Sequence, residues 1–286
     1  MTWTADKYFS KAHSYWMRAT NQERESDDFF LNLAFVCEFI LRGAISGVNP
    51  ALNAADDEES ILFSAGVTPN KPAKTADIYT VLTRVVRLIP QITIDERITV
   101  STLLTLRNQE LHGDKNAIAE ASKENLMPNI YAFIVKVADF AKININELLS
   151  ESDAIQAKAT ADALLKDRKR HIQGLISNQK DRFYRLEKHE QDAKREASKP
   201  DFISATMNSG HRIKTSKCPA CAQSGYLGGS PVGRSAPILK EDGIYQELRI
   251  VPNIFECKCC ELKIKGLDEL MAAGIEHEFR TLDEKM

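Results

Sequence analysis

The chain has 286 residues, 43% hydrophobic and 27% charged, an ordinary balance for a globular protein and room for two domains or one domain with a large appendage. Its formal net charge of −2 excludes a protein that coats nucleic acid through a dominant basic field. No unbroken apolar run approaches the roughly 18–20 residues of a membrane helix. The polar start MTWTADKYFSKAHSYW is not a secretory leader, so a cytoplasmic chain with reduced thiols and no membrane partner is expected.

The first 150 residues read as helical. Tyr8 to Met17 carries an aromatic face in Tyr8, Phe9 and Trp16. Asp27 and Asp28 suit a helix N-terminus. Beyond them Leu33, Val36, Cys37, Ile40 and Ala44 recur at the i, i+3, i+4, i+7 spacing of a buried stripe, ended by Gly47 and Pro50. Cys37 in that stripe reads as a core residue. A polar loop follows to about Lys74. Thr75–Leu88 forms a third helix, stopped by Pro90. Thr93 or Asp95 opens a fourth that runs through VSTLLTLRNQELH to Gly113, a C′ candidate. Leu103, Leu104, Leu106 and Leu111 would seat it in the core. Residues 116–145 suggest one more long helix, with Asn116 as N-cap and Pro128 as an internal breaker. The expected class is mainly α: an antiparallel helical bundle over 1–150.

Residues 151–199 form a second region, a long charged helix or linker. Charge is uneven: −4 over 1–150, +5 over 151–220 and −3 over 221–286, so this segment is where a phosphate backbone would be gripped locally. Leu165, Ile172, Ile176, Phe183 and Leu186 fall at heptad-like steps, which fits either pairing with a second copy or a solvated spacer. Lys166, Arg168, Lys169 and Arg170 are read as a solvated face more readily than as phosphate contacts. Lys199-Pro200 ends the helix, and 200–213 read as a linker.

Residues 200–286 form the third region. YQELRIVPNIFECK alternates like short strands, and LDELMAAGIEHEF reads as a closing helix. Cys218 and Cys221 make one C-x2-C; Cys257 and Cys260 make another, 35 residues on. Two such knuckles supply four thiolates to a tetrahedral structural zinc site and staple a segment with little core of its own. Cys259 is the alternative to Cys260. Gly225, Gly228, Gly229 and Gly233 suit the turns of a zinc ribbon, with Lys214, Lys217, Lys258 and Lys263 as a modest basic rim. A zinc-dependent hydrolase is disfavoured, because four thiolates leave no open position.

The remaining feature is LRNQELHGD at 106–114. On a helix Asn108 and His112 share a face, and Arg107 lies about 100° from Asn108. Histidine moves protons near neutral pH, a guanidinium stabilises charge on phosphate oxygens, and an asparagine orients either. On residue types alone, a surface arginine and a histidine at a helix C-terminus are the plainer reading.

The motif RNQELH fits the R-x4-H signature, often R-N-x3-H, of the HEPN superfamily (higher eukaryotes and prokaryotes nucleotide-binding). FLNLAFVCEFILRGAI resembles that family's second helix, which often carries a Glu where Glu38 stands. KTADIYTVL resembles the stretch before the motif helix. The likeness covers roughly residues 5–150. It implies a homodimeric helical bundle with a composite site at the dimer interface, and a metal-independent endoribonuclease that leaves a 2′,3′-cyclic phosphate and a 5′-hydroxyl. Roles in the family include toxins, phage defence and CRISPR effectors, which need an inhibitor or activator. By motif position Arg107 would stabilise the phosphorane, His112 act as acid and base, and Asn108 orient them. Some family toxins carry a modified tyrosine two residues after the histidine; Asp114 stands there, so that control is in doubt. The second expectation is a non-catalytic module that binds nucleotide, nucleic acid or protein, with the bundle as dimerisation platform.

Overall fold

A computed structural model describes residues 3–114, 116–123, 126–198, 212–240 and 243–285. The chain divides into two compact units, Met1–Leu164 and Leu165–Met286. The first is helical and the second is built on an antiparallel sheet.

In the first unit α1 (Ala5–Thr20) buries Phe9, Ala12, Trp16 and Ala19, one stripe of a 3.6-residue repeat. It lies on α2 (Asp27–Val48), which is capped by Ser26 and buries Leu33, Val36, Cys37, Ile40, Leu41, Ala44 and Ile45. The two helices touch closely at Gly43, where a β-carbon would sit 2.5 Å from the Phe9 ring. By length and composition α2 alone among the described helices could cross a membrane; 72% of that span is buried among the chain's own residues.

The stretch expected to be a polar loop contains a 3-10 turn, Pro50–Asn53, and α3 (Glu58–Ser64), capped by Asp57. Asp77 caps α4 (Ile78–Leu88) by accepting from the Tyr79 and Thr80 amides. Thr93 and Glu96 form a capping box at the head of α5 (Ile94–His112). Leu103 and Leu104 are buried as expected, but Leu111 is 47% exposed. The single helix expected over 116–145 is instead α6 (Ala117–Glu120) and α7 (Leu126–Ala141). Pro128 stands in the first turn of α7, where its missing N–H costs nothing. A left-handed Lys142 follows that helix, then a 3-10 turn at Ile145–Glu147.

The helix α8 (Glu151–Tyr184) begins in this unit. Its Asp153 is buried and accepts hydrogen bonds from Trp16 Nε1 at 3.1 Å, Ser150 Oγ at 2.6 Å and the Arg24 guanidinium.

In the second unit the heptad-like stripe is absorbed within the chain. Ile172 and Phe183 are buried, and Ile176 and Leu186 pack beside them, against Leu248, Ile250, Phe255 and Leu270. The stripe that invited pairing with a second copy is therefore already covered, with Leu165 left 53% exposed. The helix is also not continuous to 199: it breaks after Tyr184, and α9 (Lys188–Ala197) restarts with Glu187 as cap. Of the expected linker 200–213, only Arg212 and Ile213 are described, and they open β1.

The sheet comprises β1 (Arg212–Lys217), β2 (Ser224–Arg234), β3 (Ile238–Lys240), β4 (Gly243–Glu256), β5 (Lys263–Lys265) and, after α10 (Leu267–Ala272), β6 (Phe279–Lys285). All pairings are antiparallel; β4 pairs with β2, β3, β5 and β6, and β1 lies outside β2. The central strand is long rather than short because Gln246, Leu248 and Ile250 alternate inward along it. The chain runs past the expected closing helix into β6. The glycines between the cysteine pairs lie within β2 rather than in turns. They let strands approach: a β-carbon on Gly229 would meet the Val251 carbonyl oxygen at 2.3 Å.

Candidate functional site

The last two turns of α5 hold three polar side chains that diverge. Arg107 turns toward α2. Its guanidinium lies 5.2 Å from the Phe35 ring centroid and donates to Glu38. The other Glu38 oxygen accepts from Arg42 Nε at 2.9 Å. Arg42 is buried and also donates to Asn53 Oδ1 at 2.9 Å and the Ala76 carbonyl at 3.1 Å. Glu38 is thus fixed from behind, and two guanidinium groups share one carboxylate, leaving a local charge of about +1. Arg107 Nε is buried with no hydrogen-bond partner among the described residues.

Asn108 turns the other way, toward α4. Its Nδ2 lies 3.5 Å from Tyr79 Oη, which is 2.9 Å from Thr105 Oγ1. Tyr79 escaped the sequence reading; the Asp77 cap two residues before it is the signal that fixes its place.

His112 is the last residue of α5, exposed, with no hydrogen-bond partner among the described residues. Gly113 follows with φ −93 and ψ 180, so it caps the helix in extended backbone rather than as a left-handed C′ residue. Glu110, inside the motif, accepts from the Ile118 amide at 3.1 Å. No hydrogen bond joins Arg107, Asn108 and His112 to one another within one chain.

The second candidate site is in the second unit. Cys218, Cys221, Cys257 and Cys260 are buried, with all four Sγ atoms within 4.8 Å of one another. Cys218 faces Cys260 and Cys221 faces Cys257, each pair at 3.5 Å. The knuckles repeat one geometry. The Cys218 amide donates to the Gln223 carbonyl and the Cys257 amide to the Leu262 carbonyl, each at 2.8 Å. Ala222 (φ 60) and Glu261 (φ 64) are left-handed at matching positions. A tetrahedral ion with sulfur at about 2.3 Å needs sulfur atoms about 3.8 Å apart, a spacing bracketed by the 3.5 Å pairs and the 4.8 Å upper limit of this cluster. The cluster selects Cys260. Cys259 is fully buried, and burial pushes its thiol up to about 11. Hydrogen bonds from Cys218 and Cys260 pull Cys257 down, while Cys218, Cys221 and Cys260 rise. Gln179 of α8 donates to the Cys260 carbonyl, and Lys194 of α9 pairs with Glu261 at 2.8 Å. The helices hold the second knuckle.

The expected basic faces are largely spent. Lys214 pairs with Glu276, Lys263 with Glu256, and Lys258 lies over the Tyr226 ring. Arg168 pairs with Asp268 and Glu269, and Arg170 with Asp167.

No protein-family model, curated protein or solved structure matches the chain.

Proposed function

We propose that the protein is a homodimeric, metal-independent endoribonuclease of the HEPN type, with its site assembled where the C-terminal ends of two α5 helices meet. The observation that carries this reading is the divergence of the motif. Arg107 is preset by Glu38 and Arg42, while His112 projects from the helix end without a partner among the described residues, so one chain holds the parts but not a closed site. A second copy brings a second histidine to the same cleft, and the exposed Leu111 offers apolar contact beside it.

In the proposed reaction one His112 takes the proton of a ribose 2′-hydroxyl, whose oxygen attacks the adjacent phosphorus. Arg107 stabilises the negative charge on the phosphorane oxygens. The P–O5′ bond breaks, and the departing oxygen receives a proton from the second copy's His112. The products are a 2′,3′-cyclic phosphate and a 5′-hydroxyl. Asn108, tethered to Tyr79, orients the phosphate. Such an enzyme works in the cytoplasm as a toxin or defence effector and needs an inhibitor or activator protein. In the second unit Cys218, Cys221, Cys257 and Cys260 hold a structural zinc ion in a closed shell, which ties β2, β4 and the helices together.

A second reading has a specific observation in its favour. The ion pair gives Arg107 a packing role, which suits a non-catalytic binding module. Purified protein and its His112→Ala and Arg107→Ala variants, incubated with total RNA, separate the two. Loss of cutting by both variants, with dimer mass and helix content unchanged, supports the nuclease. Equal cutting by all three removes the motif from the chemistry.

A further inference from the structure

Beside the motif, the first unit has an open furrow of about 440 Å³ between α4 and α5. Tyr79, at the start of α4, meets Thr105, late in α5, and only Ile89–Thr93 links the helices, so the two run antiparallel. The lining mixes hydroxyls with apolar side chains: Thr83, Ser101, Thr102, Thr105 and Tyr79 stand beside Leu82, Ile98 and Leu106. Tyr79 is 39% exposed. At the far end stands Arg97, exposed and without an ionic partner among the described residues. On α4, Arg87, also exposed and unpaired among the described residues, stands level with Arg97 along the axis but about 80° round the helix from Tyr79, on the rim rather than in the lining. The nearest acid in sequence, Glu96, is turned inward to the Thr93 amide and Lys136, and Asp95 pairs with neither arginine. At the near end lie Asn108, bonded to Tyr79, and then His112.

The furrow thus has a cationic end, hydroxyls in its lining and an exposed aromatic ring beside the motif. Arg97 and Asn108 are 11 residues apart on one helix, about 16 Å along its axis. A stacked strand rises about 3.4 Å per nucleotide, so the span suits about four or five nucleotides. Guanidinium groups grip phosphates, aromatic rings stack on bases, and the Thr83 and Thr105 oxygens, whose protons go to the Tyr79 and Ser101 carbonyls, can accept from a ribose 2′-hydroxyl. We infer that the α4–α5 furrow is the track that binds a short single-stranded RNA segment and delivers it to Asn108 and His112, with Arg87 and Arg97 on phosphates and Tyr79 under a base. This rests on the RNA-cleaving reading and adds residues the motif does not contain. Tyr79 is a positioning residue here.

The test is binding rather than turnover. Fluorescence anisotropy of a labelled single-stranded RNA of about eight nucleotides is followed in the full-length His112→Ala background, over a range of salt. Adding Arg87→Glu and Arg97→Glu together should weaken binding by at least about tenfold and flatten the log–log salt slope by about 1.4, two phosphate contacts' worth. Tyr79→Ala should weaken it by roughly tenfold, and Tyr79→Phe, which keeps the ring, by less than about threefold. All three positions are exposed, so circular dichroism should be unchanged. Undiminished affinity in the double reversal, or no RNA binding by the His112→Ala protein, overturns the track. The two claims fail separately. Wild-type cutting with unaffected furrow variants sinks the track alone. Furrow-dependent binding by a chain that never cuts sinks the nuclease alone.

Discussion

Arg107 of α5 and Glu38 of α2 form an ion pair across 69 residues of sequence, and Arg42 occupies the carboxylate's other oxygen. All three side chains are at most 14% exposed. Removing the shared anion leaves two nearly buried cations facing each other. Glu38→Gln should therefore cost about 3 kcal/mol, seen as a melting temperature lower by roughly 6–12 °C. RNA cleavage should fall further than stability explains, because Arg107 loses its fixed direction. A variant as stable and as active as wild type would show that the triad positions nothing.

The knuckle symmetry makes a sharp distinction between adjacent cysteines. Cys260→Ser should lose the bound metal and, with it, the cooperative unfolding of the second unit. Cys259→Ser should retain about one equivalent of zinc per chain by elemental analysis. Exchange of those two outcomes would move the fourth ligand to Cys259.

Asp153 links stability to pH in the first unit. Burial pushes its carboxyl up, but hydrogen bonds from Ser150, Arg24 and Trp16 outweigh this and hold it below the ordinary carboxylate range. A group whose folded value is depressed contributes stability above its unfolded value, near 4, and loses it as pH falls through the folded value. Wild type should lose stability below about pH 4 more steeply than Asp153→Asn. Parallel acid titrations of the two by tryptophan fluorescence check this; superimposable curves would show that Asp153 is not coupled to folding.

Gly229 should not tolerate a side chain. The Val251 carbonyl and Pro252 Cα crowd the position its β-carbon would occupy, and both are backbone atoms that cannot swing aside. Gly229→Ala should cost about 1–3 kcal/mol and expose the second unit to proteolysis, whereas Gly274→Ala, which has open space, should suffer only from its positive φ.

Much of the architecture was legible because it is local. Thr93, one of the two openings the sequence offers, and the glycine at 113 bound α5 to within a residue. The C-x2-C pairs placed the thiol cluster because each knuckle is a single turn. What escaped depends on distant partners. Ile172 and Phe183 have the spacing of a self-pairing helix, and only the sheet beneath them shows that their partner is Leu248 and its neighbours. The glycines of β2 resemble turn residues until Phe255 and Val251 are seen pressing on them. The family resemblance alone singles out Glu38, and its hold on Arg107 is a tertiary contact with no signature in spacing. By sequence Pro128 looks like a breaker inside a helix, but it stands in the first turn of α7, where a proline is tolerated.

We propose that His112 and Arg107 cut RNA by internal transesterification. The chemistry of the new ends tests this, after total RNA is treated with the purified protein in enough chelator to remove free divalent ions, with any metal held by the four thiolates followed in parallel. The account predicts 2′,3′-cyclic phosphate and 5′-hydroxyl ends, absent with His112→Ala. Ends bearing a 5′-phosphate, or RNA left whole by a correctly folded dimer with and without divalent ions, would contradict it.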